Sequence, residues 1–176
     1  MFILINGSFG IGKTAAAQRL ARDLPRAKIA DPEDVGFVLH RLPPWMLGLQ
    51  ERADDYQDMA LWRRLIVLQA RFAHLLAPVV IVPMAFTNRD YFAAFTAGLS
   101  ETAPVVKTCL VASLDVVRDR LTRRALAEGR SGLSAFEVQR SAECVAAHAD
   151  PFFGRQIDAL LSPDQVVAEI RAIAGV

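Results

Sequence analysis

Short apolar runs alternate along this chain with longer stretches in which apolar residues recur at helical spacing. Four runs predict buried strands, and a fifth run predicts a brief strand near the C-terminus: Phe2–Ile5, Ala27–Ala30, Val79–Val82, Val105–Val111 and Gln156–Leu160. The third run is β-branched and uncharged, as expected of a strand that is covered on both faces.

Helices are predicted between these strands. Asp31 followed by Pro32 is a capping carboxylate with proline in the first turn, and Ser134-x-x-Glu137 is a capping box. The remaining helical segments are Lys13–Asp23, Met59–Leu76, one capped at Thr87–Asp90 and reaching Gly98, one from Ser113 to Ala127, and one starting at Ser162-Pro163. Residues 43–56, with two prolines and a glycine, indicate an irregular excursion, and Glu128–Leu133 indicates a loop.

Strand and helix thus alternate five times, which predicts an α/β fold with a parallel sheet and helices on both faces. In such folds ligands bind beyond the carboxyl ends of the strands. Chemistry is therefore expected just after residues 5, 30, 82, 111 and 160.

Composition narrows the class of protein without naming a function. The chain has 176 residues, 53% of them hydrophobic, and a net charge of +1, which fits one domain over residues 1–176. No basic block indicates a nucleic-acid partner. The longest apolar run, Leu75–Phe86, is interrupted by two prolines and is too short for a membrane segment. No signal peptide is visible, so a cytoplasmic protein is expected. The sequence does not define an oligomeric state.

The cysteines and histidines do not form a recognisable site. Two cysteines far apart give no metal-binding spacing, and the three histidines do not cluster with them. The five residues are interpreted as structural or incidental: Cys109, Cys144, His40, His74 and His148.

One motif carries specific chemistry. It lies between the first strand and the first helix and matches G-x-x-x-x-G-K-[ST] in full: Gly7, Ser8, Phe9, Gly10, Ile11, Gly12, Lys13 and Thr14. Glycines allow successive N–H groups to point at phosphate oxygens, and the helix adds its positive end. Lys13 supplies a charge to the β- and γ-phosphates, and the Thr14 hydroxyl can ligate Mg²⁺. The motif predicts binding of ATP or a related nucleoside triphosphate.

A second group of candidates is basic. Arg118, Arg120, Arg123, Arg124 and Arg130 crowd the end of the fifth helix and its loop, and Arg120 and Arg124 share one helix face. Guanidinium groups bind phosphate oxygens in pairs. The alternative is a solvated basic face.

Several stretches together resemble a known family. INGSFGIGKT, DPEDVGFVLHRL, LWRRL, VIVPMAF and DRLTRR follow one another as in the tunicamycin-resistance ATP-binding proteins, which belong to the adenylate-kinase-like group of P-loop small-molecule kinases. Shikimate kinase and chloramphenicol phosphotransferase are relatives. The resemblance covers roughly residues 1–170, and the stretches at 31–42 and 79–86 are its most specific part.

The resemblance implies a three-layer P-loop nucleoside triphosphate hydrolase fold with sheet order 2-3-1-4-5. It also implies ATP and Mg²⁺ at the loop and a lid segment at about 120–140. Within that lid, Arg120, Arg124 and Arg130 are candidates to contact phosphate. In the related kinases an acid at the position of Asp31 takes the proton from the substrate hydroxyl. Asp31 is therefore a candidate catalytic residue beside Lys13, Arg120 and Arg124, although it could serve only as the helix cap.

The chain departs from the family pattern in two places. Many P-loop kinases carry an aspartate at the end of the third strand, where this chain has Val82-Pro83-Met84. Thr14 and Asp31 are then the candidate metal helpers. Some family members also extend further with an amphiphilic C-terminal segment, whereas this chain stops at Val176. This difference weakens the case for membrane attachment through such a segment, and peripheral association stays open.

Two functions follow from the resemblance. The first is an ATP-dependent kinase that transfers a phosphoryl group to an alcohol group of a small molecule, tunicamycin or a similar nucleoside antibiotic. The alternative is an ATP-dependent protein that sequesters the antibiotic without chemistry, which the missing acid favours. A regulatory nucleotide switch is a third option.

Aromatic residues near the acceptor side could contact a base or lipid chain, or could simply be core: Phe37, Trp45, Trp62 and Phe86.

Overall fold

The computed structural model describes residues 1–47 and 55–176. Its centre is a five-stranded parallel sheet in the order β2-β3-β1-β4-β5. The strands are β1 (Phe2–Gly7), β2 (Ala27–Ile29), β3 (Val79–Pro83), β4 (Val105–Val111) and β5 (Arg155–Asp158). The predicted α/β class and strand order are confirmed.

Helices cover both faces of the sheet. They are α1 (Lys13–Asp23), α2 (Pro32–His40), α3 (Ala60–Leu76), α4 (Arg89–Ser100), α5 (Leu114–Ala127), α6 (Ala135–His148) and α7 (Pro163–Ala174). Side chains at the predicted caps accept the expected backbone hydrogen bonds, including Asp31 from Glu33 and Ser134 from Glu137. Asn88 is the residue that caps α4.

The differences from the predicted boundaries are small and have local causes. The fifth strand runs from Arg155 to Asp158 rather than to Leu160, because the Asp158 carboxylate accepts the Leu160 N–H and turns the chain. The predicted excursion at 43–56 contains a short 3₁₀ turn at Pro44–Leu47, and a second one, Tyr56–Asp58, begins at its end. Residues 48–54 of the excursion lie outside the described residues.

Strand β1 shows why the sheet separates two cores. Phe2 and Leu4 point to one face, where they pack with residues of α3 and α4. Ile3 and Ile5 point to the other face, toward residues of α1, α5 and α7. All four side chains are fully buried, as the period-2 alternation of a doubly covered strand requires.

This arrangement brings three chain reversals to one edge of the sheet. Strand β1 leads into the segment Gly7–Thr14, which we name the phosphate loop. Strand β2 leads to Asp31, and β3 leads to residues 84–87. Because parallel strands end at the same edge, residues far apart in sequence meet there.

Candidate functional site

The phosphate loop follows β1 directly, and its glycines have conformations that side chains rarely adopt. The φ angles are +150° at Gly7, +70° at Gly10 and +106° at Gly12. A Cβ atom at Gly7 would lie 2.9 Å from the carbonyl oxygen of Leu110, and one at Gly10 would lie 2.8 Å from Leu121. Glycine is therefore required at Gly7 by packing against backbone as well as by backbone angle, whereas at Gly10 the left-handed angle favours glycine and the Leu121 side chain would have to shift for a larger residue.

Lys13 folds back onto its own loop. Its Nζ donates a hydrogen bond to the carbonyl oxygen of Ser8 at 2.8 Å, and the side chain is buried. Burial lowers the pKa of Lys13, while the nearby carboxylates of Glu33 and Asp31 act in the opposite direction. An anion bound in the loop would relieve this desolvation, because it would give the ammonium group a strong partner.

Asp31 lies at the turn between β2 and α2, and several contacts fix that turn. Its Oδ1 accepts the Glu33 N–H at 3.0 Å, and its carbonyl accepts Gln69 Nε2 at 3.0 Å. Trp62 Nε1 donates to the Pro32 carbonyl at 3.1 Å. Burial raises the pKa of Asp31. The structure therefore supports the capping role of Asp31 directly and places its carboxylate close enough to Lys13 for the two charges to interact.

A cavity of about 540 Å³ lies beside the phosphate loop, and we name it the central cavity. Its walls come from the loop, from α2, from the segment after β3, and from both helices that flank the lid. Aromatic rings contribute Phe9, Phe37, Trp62, Phe86 and Phe136, and charged groups contribute Glu33, Asp55, Arg124, Arg130 and Glu137. Of the four aromatic residues predicted at the acceptor side, Phe37, Trp62 and Phe86 line this cavity. Trp45 is exposed and is not one of the described residues in its wall.

The wall formed by Phe86 is held by a buried polar network. The side-chain amide of Asn6 accepts the Phe86 N–H at 2.9 Å and donates to the Phe86 carbonyl at 3.2 Å. Nε2 of His148 lies 2.8 Å from the same carbonyl, and burial lowers the pKa of His148 to about 4. His148 is therefore neutral near pH 7 and donates from Nε2 to this oxygen.

A second network joins the floor of the central cavity to α6. Arg140 forms an ion pair with Asp55 at 2.6 Å and donates to the hydroxyl of Thr87 at 3.1 Å. Gln57 donates through Nε2 to the Ala85 carbonyl at 3.1 Å. These contacts attach α6 and the segment around residue 57 to the chain that follows β3.

The candidate arginines occupy two different environments. Arg120 donates to the carbonyl oxygens of Ile11 and Ala159 at 3.0 and 2.7 Å, so it braces the phosphate loop against the segment after β5. Arg124 and Arg130 line the central cavity instead. The structure thus places Arg124 and Arg130 in the wall of the central cavity, leaves Lys13 buried inside the adjacent loop, and places Arg120 at the back of that loop.

The loop at residues 128–134, which lies within the predicted lid and which we name the lid loop, is held by carboxylates. Arg130 forms hydrogen-bonded ion pairs with Glu137 at 2.8 and 3.0 Å and with Glu128 at 3.0 and 3.1 Å. Arg124 pairs with Glu128 at 2.8 Å. Glu137 also accepts the Ser134 N–H, and these bonds, with that to Arg130 the largest, lower its pKa to about 2. A phosphate would compete with Glu137 and Glu128 for Arg130, whereas Arg124 bonds Glu128 through Nε and keeps its two terminal NH2 groups for another acceptor.

Metal-binding groups are sparse in the part of the chain that the structure describes. No cluster of three or more His, Cys, Asp or Glu side chains suited to a metal ion occurs there. The residues at and just after the end of β3 that line the central cavity are Pro83, Met84, Ala85 and Phe86, none of them acidic. Thr14, which is exposed at the start of α1, remains the predicted Mg²⁺ contact of the loop.

Sequence reasoning missed several residues of this site. Asn6, Glu33, Gln57, Glu137 and His148 either line the central cavity or hold its wall. Asn6 carried a readable signal, because a lone amide at the end of an apolar strand must find buried partners. The others are ordinary helix and loop residues whose role depends on distant backbone groups.

Similarity to solved structures agrees with this geometry. A tunicamycin resistance protein of Deinococcus radiodurans superposes with a TM-score of 0.77 and 26% identity, over 99% of this chain and 96% of that one. The predicted family resemblance is confirmed.

Two further relatives with the P-loop kinase fold are more distant. A gluconokinase of Sinorhizobium meliloti 1021 has a TM-score of 0.67 and 16% identity, over 99% of this chain and 90% of that one. A shikimate kinase of Bacteroides thetaiotaomicron has a TM-score of 0.62 and 19% identity, over 100% of this chain and 99% of that one. At these identities the likeness shows the fold alone. No family model and no curated protein matched the chain.

The helices of this protein do not have the character of membrane spans in the part of the chain that the structure describes. Among residues 1–47 and 55–176, none combines the length and the apolar composition that a transmembrane helix needs.

Proposed function

We propose that this protein is an ATP-dependent kinase that phosphorylates a hydroxyl group of a small molecule, with tunicamycin or a similar nucleoside antibiotic as acceptor. The observation that carries the proposal is the composition of the central cavity. One cavity joins the phosphate loop at Phe9, an acid of α2 at Glu33, and the lid arginines Arg124 and Arg130. Phosphoryl transfer needs these parts together, because it depends on positioning and on neutralising charge.

The loop residues suit the triphosphate of Mg·ATP. The left-handed glycines turn the backbone, and Lys13 is buried inside the loop with a carbonyl as its hydrogen-bond partner. Lys13 and the loop N–H groups would hold phosphate oxygens, and Thr14 would contact Mg²⁺. Mg·ATP supplies the phosphoryl group that is transferred.

Two carboxylates are candidates to receive the proton of the acceptor hydroxyl. Glu33 lines the central cavity, and Asp31 lies two residues earlier, with its charge coupled to Lys13. Burial raises the pKa of Asp31, which makes its carboxylate a better base at neutral pH. Asp31 is the primary candidate, and Glu33 is a candidate because of its position in the wall.

The walls of the cavity suit an acceptor with a broad apolar part. Phe37 and Phe136 are 59% and 51% exposed and offer ring surface to the cavity, whereas Trp62 and Phe86 belong to the buried core. The tilted rings of Phe9 and Phe136 have centroids 6.5 Å apart. Stacking on such rings favours a flat base or an apolar chain. The similarity to a tunicamycin resistance protein supports the same class of acceptor.

A second function is supported by a different observation. The segment after β3 offers Pro83, Met84 and Ala85 where many P-loop kinases have an acid that orders the metal's water shell. A protein that lacks this group could bind nucleotide and antibiotic together without transfer.

The decisive experiment is mass spectrometry of tunicamycin incubated with the protein and Mg·ATP. A mass gain of one phosphoryl group, absent with Lys13→Ala or with a non-hydrolysable ATP analogue, is the expected result. Tunicamycin that stays unmodified and co-purifies with the protein only in the presence of nucleotide would contradict the kinase proposal and support the sequestering protein. Gluconate and shikimate serve as comparison acceptors.

A further inference from the structure

Helix α3 has two apolar faces, of which the sheet covers only one. Trp62, Ile66 and Ala70 are buried in the core. A second stripe stays open to solvent, with exposed fractions of 58% for Leu68, 63% for Phe72 and 77% for Leu75. A helix on the surface of a monomer normally carries polar residues on the side away from the core.

The second stripe has the spacing of a helix–helix interface. Leu61, Leu65, Leu68, Phe72 and Leu75 follow one another at intervals of four, three, four and three residues. This is the 3.5-residue repeat with which a helix keeps one seam facing a partner helix. We name these five residues the α3 seam.

Helix α2 extends the apolar surface beside the seam. Val35, Val38 and Leu39 line a shallow groove of about 500 Å³ together with Leu65, Leu68 and Phe72. The exposed side chains of this face leave on the order of 500 Å² of apolar surface, which is near the upper end for a monomer. With a polar rim it approaches the ~800 Å² per partner of a standard interface.

Opposite charges lie on the two flanks of the seam. Asp34 lies in the groove on the α2 side. Gln69 follows the seam residue Leu68 and contacts Asp31, so residues that follow a seam residue lie on the α2 side. Arg64 precedes the seam residue Leu65 by one position, and because each position turns the helix by about 100°, it lies on the opposite flank. Both side chains are exposed, and neither forms an ion pair within residues 1–47 and 55–176. Arg71, one heptad later, is by contrast bonded to Glu101 at 2.6 Å.

We propose that the face formed by α2 and α3 is the interface of a two-fold homodimer in which the α3 seam packs against the α3 seam of a second copy. A two-fold axis that runs along α3 places the acidic flank of each copy over the basic flank of the other. Asp34 of one copy then faces Arg64 of the second copy, twice per dimer. The surface is self-complementary in shape and in charge, which an isologous interface requires.

Sedimentation velocity over a range of protein concentrations tests the assembly. The wild-type protein is expected to form a dimer with a dissociation constant on the order of micromolar. Leu68→Asp and Phe72→Asp should each weaken the dimer by about tenfold or more, since each places a charge in the seam. Leu126→Asp is the matched control, because Leu126 lies on α5 and has the same 58% exposure as Leu68. Melting temperatures verify that every variant is folded.

A charge exchange tests the orientation of the two copies. Asp34→Arg and Arg64→Asp should each weaken self-association, because each homodimer then contains two like-charge contacts. An equimolar mixture of the two variants should dimerise again, because both contacts in the mixed dimer are of opposite charge. No contact inside one chain can produce this recovery.

Three results would overturn the proposal. The first is a wild-type protein that remains monomeric at about 200 µM, well above the dissociation constant expected for an interface of this size. The second is a dimer that Leu68→Asp and Phe72→Asp leave intact. The third is a monomer that binds phosphatidylcholine vesicles through this face, which would assign the seam to a lipid surface.

Discussion

The phosphate loop and the central cavity differ in how the chain builds them. The loop is eight consecutive residues, Gly7 to Thr14, whose shape follows from glycine angles and from packing on the neighbouring strand β4. The central cavity collects side chains from the loop, α2, the residues near 57, the end of β3, α5 and α6. A site built from consecutive residues depends on local backbone geometry. A site lined by residues from several elements depends on the tertiary contacts that hold those elements together.

The largest expected effect is at the loop. Lys13→Ala should abolish ATP binding and leave the fold intact, because the buried ammonium is the charge that the phosphates would meet. Isothermal titration calorimetry with ATP and a thermal melt provide the measurement. Lys28→Ala, on the exposed strand β2, is the matched control and should bind normally. Unchanged affinity in a folded Lys13→Ala protein would contradict the loop assignment.

The next effect tests whether the cavity wall depends on its distant supports. The unfolded chain binds a proton at His148 near pH 6.5, but the folded protein does so only near pH 4. The free energy of unfolding should therefore fall as the pH drops from about 6.5 to 4, by up to about 3 kcal/mol from this group.

Denaturation curves at several pH values measure this slope. The difference between the wild-type protein and His148→Gln isolates His148, since other titrating groups cancel. A His148→Gln protein with the same pH slope as the wild type would show that His148 does not support the Phe86 wall in this way.

Substitutions of Asp31 and Glu33 distinguish a helix-capping role from a role in accepting the proton of the acceptor hydroxyl. Asp31→Asn should keep ATP binding and lower phosphoryl transfer by at least roughly a hundredfold, because asparagine still caps α2 but cannot accept the proton. Glu33→Gln tests the residue in the wall by the same assay, and Asp90→Asn in the first turn of α4 is the control. Near-normal turnover in Asp31→Asn would leave it as a helix cap only.

The smallest effect concerns the lid loop. Hydrogen exchange across residues 128–134 should slow when an Mg·ATP analogue binds, as phosphate draws the arginines inward. Arg124→Ala should lose much of this protection, because Arg124 lines the cavity beside this loop, whereas Arg120 braces the phosphate loop from behind. Glu137→Gln should speed exchange in the free protein by about fivefold, since it removes an ion pair of Arg130.

Glu143→Gln is the matched control for the lid, because Glu143 lies on the same helix and pairs with Arg140 instead. If hydrogen exchange in the lid loop does not respond to nucleotide, the arginines form a solvated basic face and the lid prediction is wrong.

The sequence predicted much of the fold because its determinants are local. Apolar runs, capping residues such as Asp31 and Ser134, and the glycine pattern at Gly7–Thr14 each act within a few residues. The strand boundaries that differed, at β5, depended on a single side-chain hydrogen bond at Asp158. Sheet order came from the family resemblance, since strand periodicity does not encode neighbours.

Only the tertiary structure decided the site around the loop. It paired Asn6 with Phe86 across 80 positions, placed His148 on the same carbonyl, and separated Arg120 from Arg124 although they share a helix. The sequence by itself determined the phosphate loop, because backbone angles and a helix end are properties of consecutive residues. The central cavity required the folded chain, because buried polar groups choose partners by position in space, and distance along the sequence does not limit that choice.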